Sequence, residues 1–134
     1  MANFHEARLA VLIAAPHRAE VSMHRDVAAM YTALMQCGLE SADIQCLEGR
    51  LDRLLFTNFL ESIRRRIATW TEGTLFFYIS GHGFFDGESA EKARVGIELQ
   101  PSDQLTHEFH IFWDEVFDLL AIPNQLKLLL VPDH

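Results

Sequence analysis

Short apolar runs alternate along the chain with segments of helical periodicity, and this alternation restricts the fold more than any other feature. Each run has the length of one buried strand and is too short for a buried helix. The runs cover residues 9–15, 44–47, 75–80 and 126–131. Three segments between them carry apolar side chains at helical spacing. These segments cover residues 23–34, 57–70 and 112–120. The order predicts an α/β fold with a mostly parallel sheet and right-handed crossovers.

Polar residues and glycines mark the ends of the predicted helices. Ser22 is placed to cap the N-terminus of the first helix, and Gly38 to follow its last turn. Thr57 is placed to cap the second helix. Segment 84–103 predicts a long surface excursion, in which residues 95–99 form a hairpin strand or an edge strand.

The composition indicates one globular domain over residues 1–134. Charged residues make up 22% and hydrophobic residues 49%, which are ordinary globular values. With 11 basic and 19 acidic residues the net charge is −8, which argues against nucleic acid or an anionic membrane as a partner. No apolar run reaches the roughly 18 residues of a spanning helix, and we expect a cytoplasmic protein. Cys37 and Cys46 match no metal spacing and are expected to be buried free thiols.

The third apolar run leads directly into a histidine between two glycines, His82. Glycines at 81 and 83 indicate a small-residue turn that ends the strand; they permit a tight or positive-φ backbone, let another chain approach closely, and leave the Gly83 amide free to face a ligand. An imidazole there can act as a general base, a metal ligand or a hydrogen-bonded structural side chain. The carboxyl ends of parallel strands are where open α/β sheets assemble their sites, which favours a functional role for His82.

Residues 77–83, Phe-Tyr-Ile-Ser-Gly-His-Gly, resemble the histidine motif of the caspase and metacaspase clan of cysteine peptidases. The final strand and its continuation, Val-Pro-Asp-His at 131–134, are similar to that clan's second motif, in which a buried strand ends in Asp, one variable residue and the nucleophilic Cys. Weaker similarities to the clan's first helix and to a segment after its histidine loop occur at 25–38 and 99–103.

The resemblance implies a caspase-like α/β fold in which this chain is the large-subunit portion. It implies that His82 is the general base or acid of a Cys/His dyad and that the Gly83 amide belongs to the oxyanion hole. Chemistry requires both parts, because a thiolate needs a nearby imidazole and the developing oxyanion needs fixed N–H donors.

The metacaspase branch implies a substrate pocket at Asp26, Ser80 and Asp133. Two carboxylates in a narrow pocket would pair with Arg or Lys and reject Asp, so we expect cleavage after a basic residue. The alternatives are that Asp26 is a solvated residue in the first turn of its helix and that Asp133 caps a turn.

The sequence ends at His134, before the cysteine that the resemblance implies. We therefore expect a domain that is incomplete at its C-terminus, inactive alone, and partnered by a C-terminal fragment that carries the nucleophile. The alternative is a non-catalytic caspase-like module that binds peptides or a partner.

No cofactor is expected. Metacaspases often bind calcium, and carboxylates occur in the corresponding region at Asp86, Glu88, Glu91 and Asp103. Their spacing follows no coordination pattern, so a solvated acidic loop is favoured. Hydrolysis by a metal held by His82, His107 and His110 is disfavoured, because no carboxylate completes a ligand pattern.

Overall fold

A computed structural model describes residues 7–15, 22–87, 94–102 and 104–133. Within these ranges the fold is α/β, as the alternation predicts, with six strands in one mixed sheet and three helices. The strands are β1 (Arg8–Ala15), β2 (Ile44–Glu48), β3 (Thr74–Asp86), β4 (Arg94–Glu98), β5 (His110–Phe112) and β6 (Lys127–Asp133). The helices are α1 (Ser22–Gln36), α2 (Arg53–Ile67) and α3 (Trp113–Leu120), with a short 3-10 turn at Ser41–Asp43.

Strand β3 is the centre of the sheet. Its first part pairs in parallel with β1 on one side and with β6 on the other, and β2 adds to the far side of β1. Its second part pairs antiparallel with β4, which pairs antiparallel with β5. The excursion after β3 therefore contains the hairpin expected from the sequence.

Two hydrophobic cores cover the two faces of the sheet. One face packs α2 and α3 against alternate residues of β1 and β3, including Val11, Phe77 and Ile79. The other face packs α1 against Leu12 and Tyr78. Side chains alternate between faces along a strand, so Tyr78, Ser80 and His82 share the α1 side.

The sequence prediction of a turn at residues 81–83 is wrong, because β3 continues through these residues to Asp86. Neither Gly81 nor Gly83 has a positive φ angle. Glycine at 81 avoids a tight contact, because an added Cβ would lie 3.3 Å from both the Cβ and the carbonyl oxygen of Ala15 on the neighbouring strand. Glycine here permits close strand packing instead of a sharp turn.

The predicted end of α1 is confirmed, and the predicted start of α2 is wrong. Gly38 has a φ of +99° and follows the helix in a Schellman arrangement, with Leu39 N–H donating to the Leu34 carbonyl.

Helix α2 begins at Arg53, and its N-cap is Asp52, whose carboxylate accepts from Leu55 N–H at 2.8 Å. Thr57 lies inside the helix and donates to the Arg53 carbonyl.

Strand β6 and the cysteines are more exposed than the sequence predicts. The expected buried final strand has exposed residues at six of its seven positions, because it pairs with β3 alone within the described residues.

The two cysteines, which were expected to be buried, are both exposed free thiols: Cys37 and Cys46. Partial desolvation of the Cys46 thiol, together with the charge of Glu48, raises its pKa.

Candidate functional site

Helix α1 and strand β3 bring Asp26 and Ser80 together. The Ser80 hydroxyl donates to Asp26 Oδ2 at 3.1 Å. Ser80 is 2% exposed, whereas Asp26 lies on the exposed part of α1. A buried hydroxyl needs a partner, and the helix supplies one at the carboxyl end of the parallel strands.

Strand β6 brings Asp133 to the same place. Asp133 is the register partner of Ser80, and its Oδ2 accepts from the Tyr78 hydroxyl at 2.9 Å. Desolvation of the phenol raises the pKa of Tyr78 to about 12, and the Asp133 hydrogen bond, the Asp133 charge and the Asp26 charge act in the same direction. The phenol is therefore a neutral donor to a carboxylate.

We call Asp26, Tyr78, Ser80 and Asp133 the acidic cluster. The structure thus brings together the three pocket residues that the resemblance implies, although they come from widely separated parts of the chain. Sequence reasoning missed the fourth member. Tyr78 occurs in an apolar run, but its position two residues before Ser80 placed its side chain on the same face, and that alternation was the signal that could have found it.

The acidic cluster carries negative charge that is open to a cation. In the described ranges, no Lys, Arg or His side chain forms an ion pair with Asp26 or Asp133. Each carboxylate accepts one side-chain hydrogen bond from a neutral hydroxyl, which leaves further acceptor positions. The arrangement suits a ligand with several N–H donors and a positive charge.

His82 lies two residues beyond Ser80, where β3 changes from parallel to antiparallel pairing. Its side chain is exposed, and so is Gly83. Gly83 lies opposite Ile97 in the register of β4. An exposed imidazole on the face that carries the acidic cluster can exchange protons with a molecule bound there.

A second histidine, His110, lies on the β4–β5 side of His82, and hydrogen-bond partners contact both nitrogens of its ring. Glu98 is the register partner of both His82 and His110. The imidazole of His110 is 5% exposed; its Nε2 lies 3.3 Å from Glu98 Oε2, and its Nδ1 lies 3.0 Å from the Thr106 amide nitrogen. A buried ring held on both sides has a structural role.

The described residues give no support to a metal centre. Among them, no group of three or more His, Cys, Asp or Glu side chains is arranged to hold a metal ion. Of the four acidic residues considered for calcium, Glu88, Glu91 and Asp103 lie outside the described residues, whereas Asp86 is described and is exposed. His134 also lies outside the described residues.

On the β4–β5 side, the described residues line two depressions. A cavity of about 340 Å³ is lined by residues that include Arg53, Arg94 and His110. Both arginines of this cavity already form ion pairs, Arg53 with Glu115 and Arg94 with Asp114. A shallow apolar depression of about 280 Å³ is lined by Gly83, Phe84, Phe85 and Val95.

No protein-family model matches the chain, and no curated protein matches it either. In the part of the chain that the structure describes, every helix is too short or too polar to cross a lipid bilayer.

Proposed function

We propose that this chain supplies the histidine and the substrate pocket of a cysteine endopeptidase that cleaves after Arg or Lys, with a nucleophilic cysteine outside residues 1–134. The observation that carries the proposal is the meeting of Asp26, Ser80 and Asp133 on the face of β3 that also presents His82. Three elements must fold together to form this group. If Asp26 were only a solvated surface residue, its contact with Ser80 would not be needed. If Asp133 only capped a turn, its contact with Tyr78 would not be needed.

The acidic cluster is the pocket for the basic side chain. A guanidinium carries five N–H donors and pairs with carboxylates through two parallel hydrogen bonds, and an ammonium carries three donors. Asp26 and Asp133 offer the acceptors and the negative charge, while Ser80 and Tyr78 hold the carboxylates in place. An aspartate in the substrate would meet like charge and be rejected.

His82 acts on the cysteine and on the leaving group. Its imidazole takes the thiol proton, the thiolate attacks the scissile carbonyl, and the imidazolium then protonates the departing amine. The Gly83 amide stabilises the oxyanion. A cysteine that follows Asp133 would begin from the strand beside Ser80, two residues from His82, and this proximity in register supports the assignment.

A second candidate is a peptide-binding module without catalysis. The same acidic cluster favours it, since recognition of a basic side chain needs no thiol. Binding and cleavage therefore require separate measurements.

A cytosolic location belongs to the proposal. Exposed free thiols such as Cys37 and Cys46 persist in a reducing compartment.

Cleavage is tested with the product of the complete reading frame. Fluorogenic peptides that differ only in Arg, Lys, Asp or Ala at P1 are compared for the wild type, His82→Ala and a matched control, His107→Ala, which removes another exposed imidazole. We expect cleavage after Arg and Lys that His82→Ala abolishes and His107→Ala retains. Activity that survives His82→Ala would overturn the role of His82, and cleavage after Asp alone would overturn the pocket.

Binding is tested with the present chain. A short peptide with arginine is compared by NMR titration with the same peptide containing citrulline, which is nearly isosteric and neutral. We expect the arginine peptide to bind at least about tenfold more tightly, and Asp26→Asn to reduce that preference. Equal binding of the two peptides would refute a carboxylate pocket. Binding of arginine without cleavage by the complete protein would favour the second candidate.

A further inference from the structure

Glu98 lies directly opposite His82 in the antiparallel pairing of β3 with β4. Side chains of directly opposite residues project from the same face of the sheet, with Cβ atoms about 4.5–5.5 Å apart. Because His82 lies on the α1 side of the sheet, Glu98 lies there too. A carboxylate at that spacing is within reach of an imidazole N–H.

The other neighbour of Glu98 is His110, its register partner on β5. The Thr106 N–H donates to His110 Nδ1 at 3.0 Å, and the Thr106 carbonyl accepts from the His110 N–H. This network assigns the ring proton to Nε2, which lies 3.3 Å from Glu98 Oε2. The His110 ring is therefore a donor to the carboxylate of Glu98.

Aromatic packing holds the His110 ring in turn. The ring of Phe84 lies edge-on to the imidazole, with centroids 4.8 Å apart and an interplanar angle of 81°. Gly96 makes room for Phe84, because an added Cβ there would lie 2.6 Å from the Phe84 ring. The carboxylate of Glu98 is consequently bound to a side chain that packing keeps in one place.

Burial makes Glu98 dependent on donors from the protein. Its side chain is 15% exposed and that of His110 is 5% exposed, whereas His82 is exposed. A carboxylate that loses most of its hydration needs hydrogen-bond donors in its place. It has about four acceptor sites, and one bond from His110 does not exhaust them. A fixed carboxylate beside an exposed imidazole can set the orientation of that ring.

We propose that Glu98 is a positioning residue for His82. Its carboxylate accepts a hydrogen bond from one ring N–H of His82, which directs the other, unprotonated nitrogen toward the nucleophile. Only a nitrogen without a proton can take the proton of a thiol, so the tautomer of His82 decides whether it works as a base. The effect on catalysis rests on the proposed function, whereas the orientation of the ring does not.

Glu98→Gln separates this role from the contact with His110. Glutamine has the same shape, and its one carbonyl oxygen can still accept from His110 Nε2–H. Its NH₂ group then faces His82 and presents a donor where the wild type presents an acceptor. The substitution therefore favours the opposite tautomer of His82. If Glu98 served only to satisfy His110, the ring of His82 would not respond.

The orientation is tested by ¹⁵N NMR of the imidazole nitrogens in the product of the complete reading frame, at a pH where His82 is neutral. The signals absent from His82→Ala identify the ring. We expect one predominant tautomer in the wild type, and Glu98→Gln should shift both nitrogen signals toward those of the other tautomer. Unchanged signals would overturn the proposal.

Glu108→Gln is the matched control, because it removes an exposed carboxylate two residues before His110. It should leave the His82 signals in place, and circular dichroism checks that both variants are folded. An equal shift in the control would show that the response is not specific to Glu98 and would also overturn the proposal.

The effect on catalysis is tested with the arginine peptides as substrates. Glu98→Gln should lower kcat at least about tenfold and change KM less than about twofold, because it alters proton transfer and leaves the acidic cluster intact. Glu108→Gln should retain both constants. A normal kcat, or a change in KM alone, would overturn the role in catalysis. A wild type that cleaves no peptide would refute the proposed function, and the ring signals would still decide whether Glu98 orients His82.

Discussion

The Ser80 hydroxyl donates to the Asp26 carboxylate at 3.1 Å and joins the central strand to the helix that covers it. Ser80 is almost fully buried, so the bond satisfies a polar group that water does not reach. The contact fixes one side of the acidic cluster.

Ser80→Ala should lower the free energy of unfolding by about 1–2 kcal/mol, because it removes a hydrogen bond to a charged acceptor. Chemical denaturation measures the change. Ser62→Ala is the control: its hydroxyl donates to the Phe59 carbonyl on an exposed part of α2, and its loss should cost less. Equal costs for the two variants would show that the Asp26 contact contributes nothing specific.

Tyr78 should ionise near pH 12. The measurement is an alkaline ultraviolet titration in Tyr31→Phe, which leaves Tyr78 as the only tyrosine of the two in the sequence. Asp133→Asn should move the transition down toward the ordinary value of 10, because the carboxylate hydrogen bond and charge are removed while the burial remains. A transition that does not respond to Asp133→Asn would contradict the contact.

The same shift has a consequence for stability. A raised pKa of an acid means that the folded state holds its proton more tightly than the unfolded state. The stabilisation from Tyr78 is therefore fully present below pH 10 and is lost as the pH rises from 10 to about 12.

Asp52→Ala should destabilise the protein by about 1 kcal/mol, because Asp52 caps α2 through its bond to Leu55 N–H. Thr57→Ala is the control, since Thr57 lies inside the helix, where alanine has the higher propensity. Thermal unfolding of the two variants distinguishes the two possible helix starts. A larger loss for Thr57→Ala would contradict the start at Arg53.

The ionised carboxylate of Glu61 should stabilise the folded state near neutral pH, and this stabilisation should be lost in strong acid. Its hydrogen bond to Arg64, with the charges of Arg64 and Arg65, lowers its pKa from 4.5 to about 2. A lowered carboxylate pKa stabilises the folded state above pH 4.5, and this contribution is lost as the pH falls to about 2. The stability difference between wild type and Glu61→Gln should disappear over that interval. The effect should be small and decrease in high salt, because the side chains are exposed.

The strands of the parallel core were predictable because each is a short apolar run between helical segments. The continuation of β3 was not, since a Gly-His-Gly sequence is equally compatible with a turn and with extended strands packed closely against Ala15. Asp52 was overlooked in favour of Thr57 because both residue types cap helices and only the hydrogen bond distinguishes them.

The exposure of β6 could not be read from its composition. Apolar residues indicate that a strand can be buried, but burial depends on a neighbour that the strand's own sequence does not encode. For the site, the resemblance predicted Asp26, Ser80 and Asp133, and the structure brings these three residues together. The part of Tyr78 could be recognised only once the register of β3 against β6 was known.

The continuity of β3 sets a fixed distance at the site. Ser80 and His82 belong to one extended strand, so their Cα atoms lie about 7 Å apart, a separation maintained by two peptide units and by pairing on both sides. Under the proposed function, Ser80 helps to select the substrate and His82 moves the proton, and both residues lie on one rigid strand at a fixed spacing. Any on–off control of the enzyme must then act through the arrival of the cysteine or the entry of the substrate, because the spacing between recognition and proton transfer cannot change without breaking the sheet.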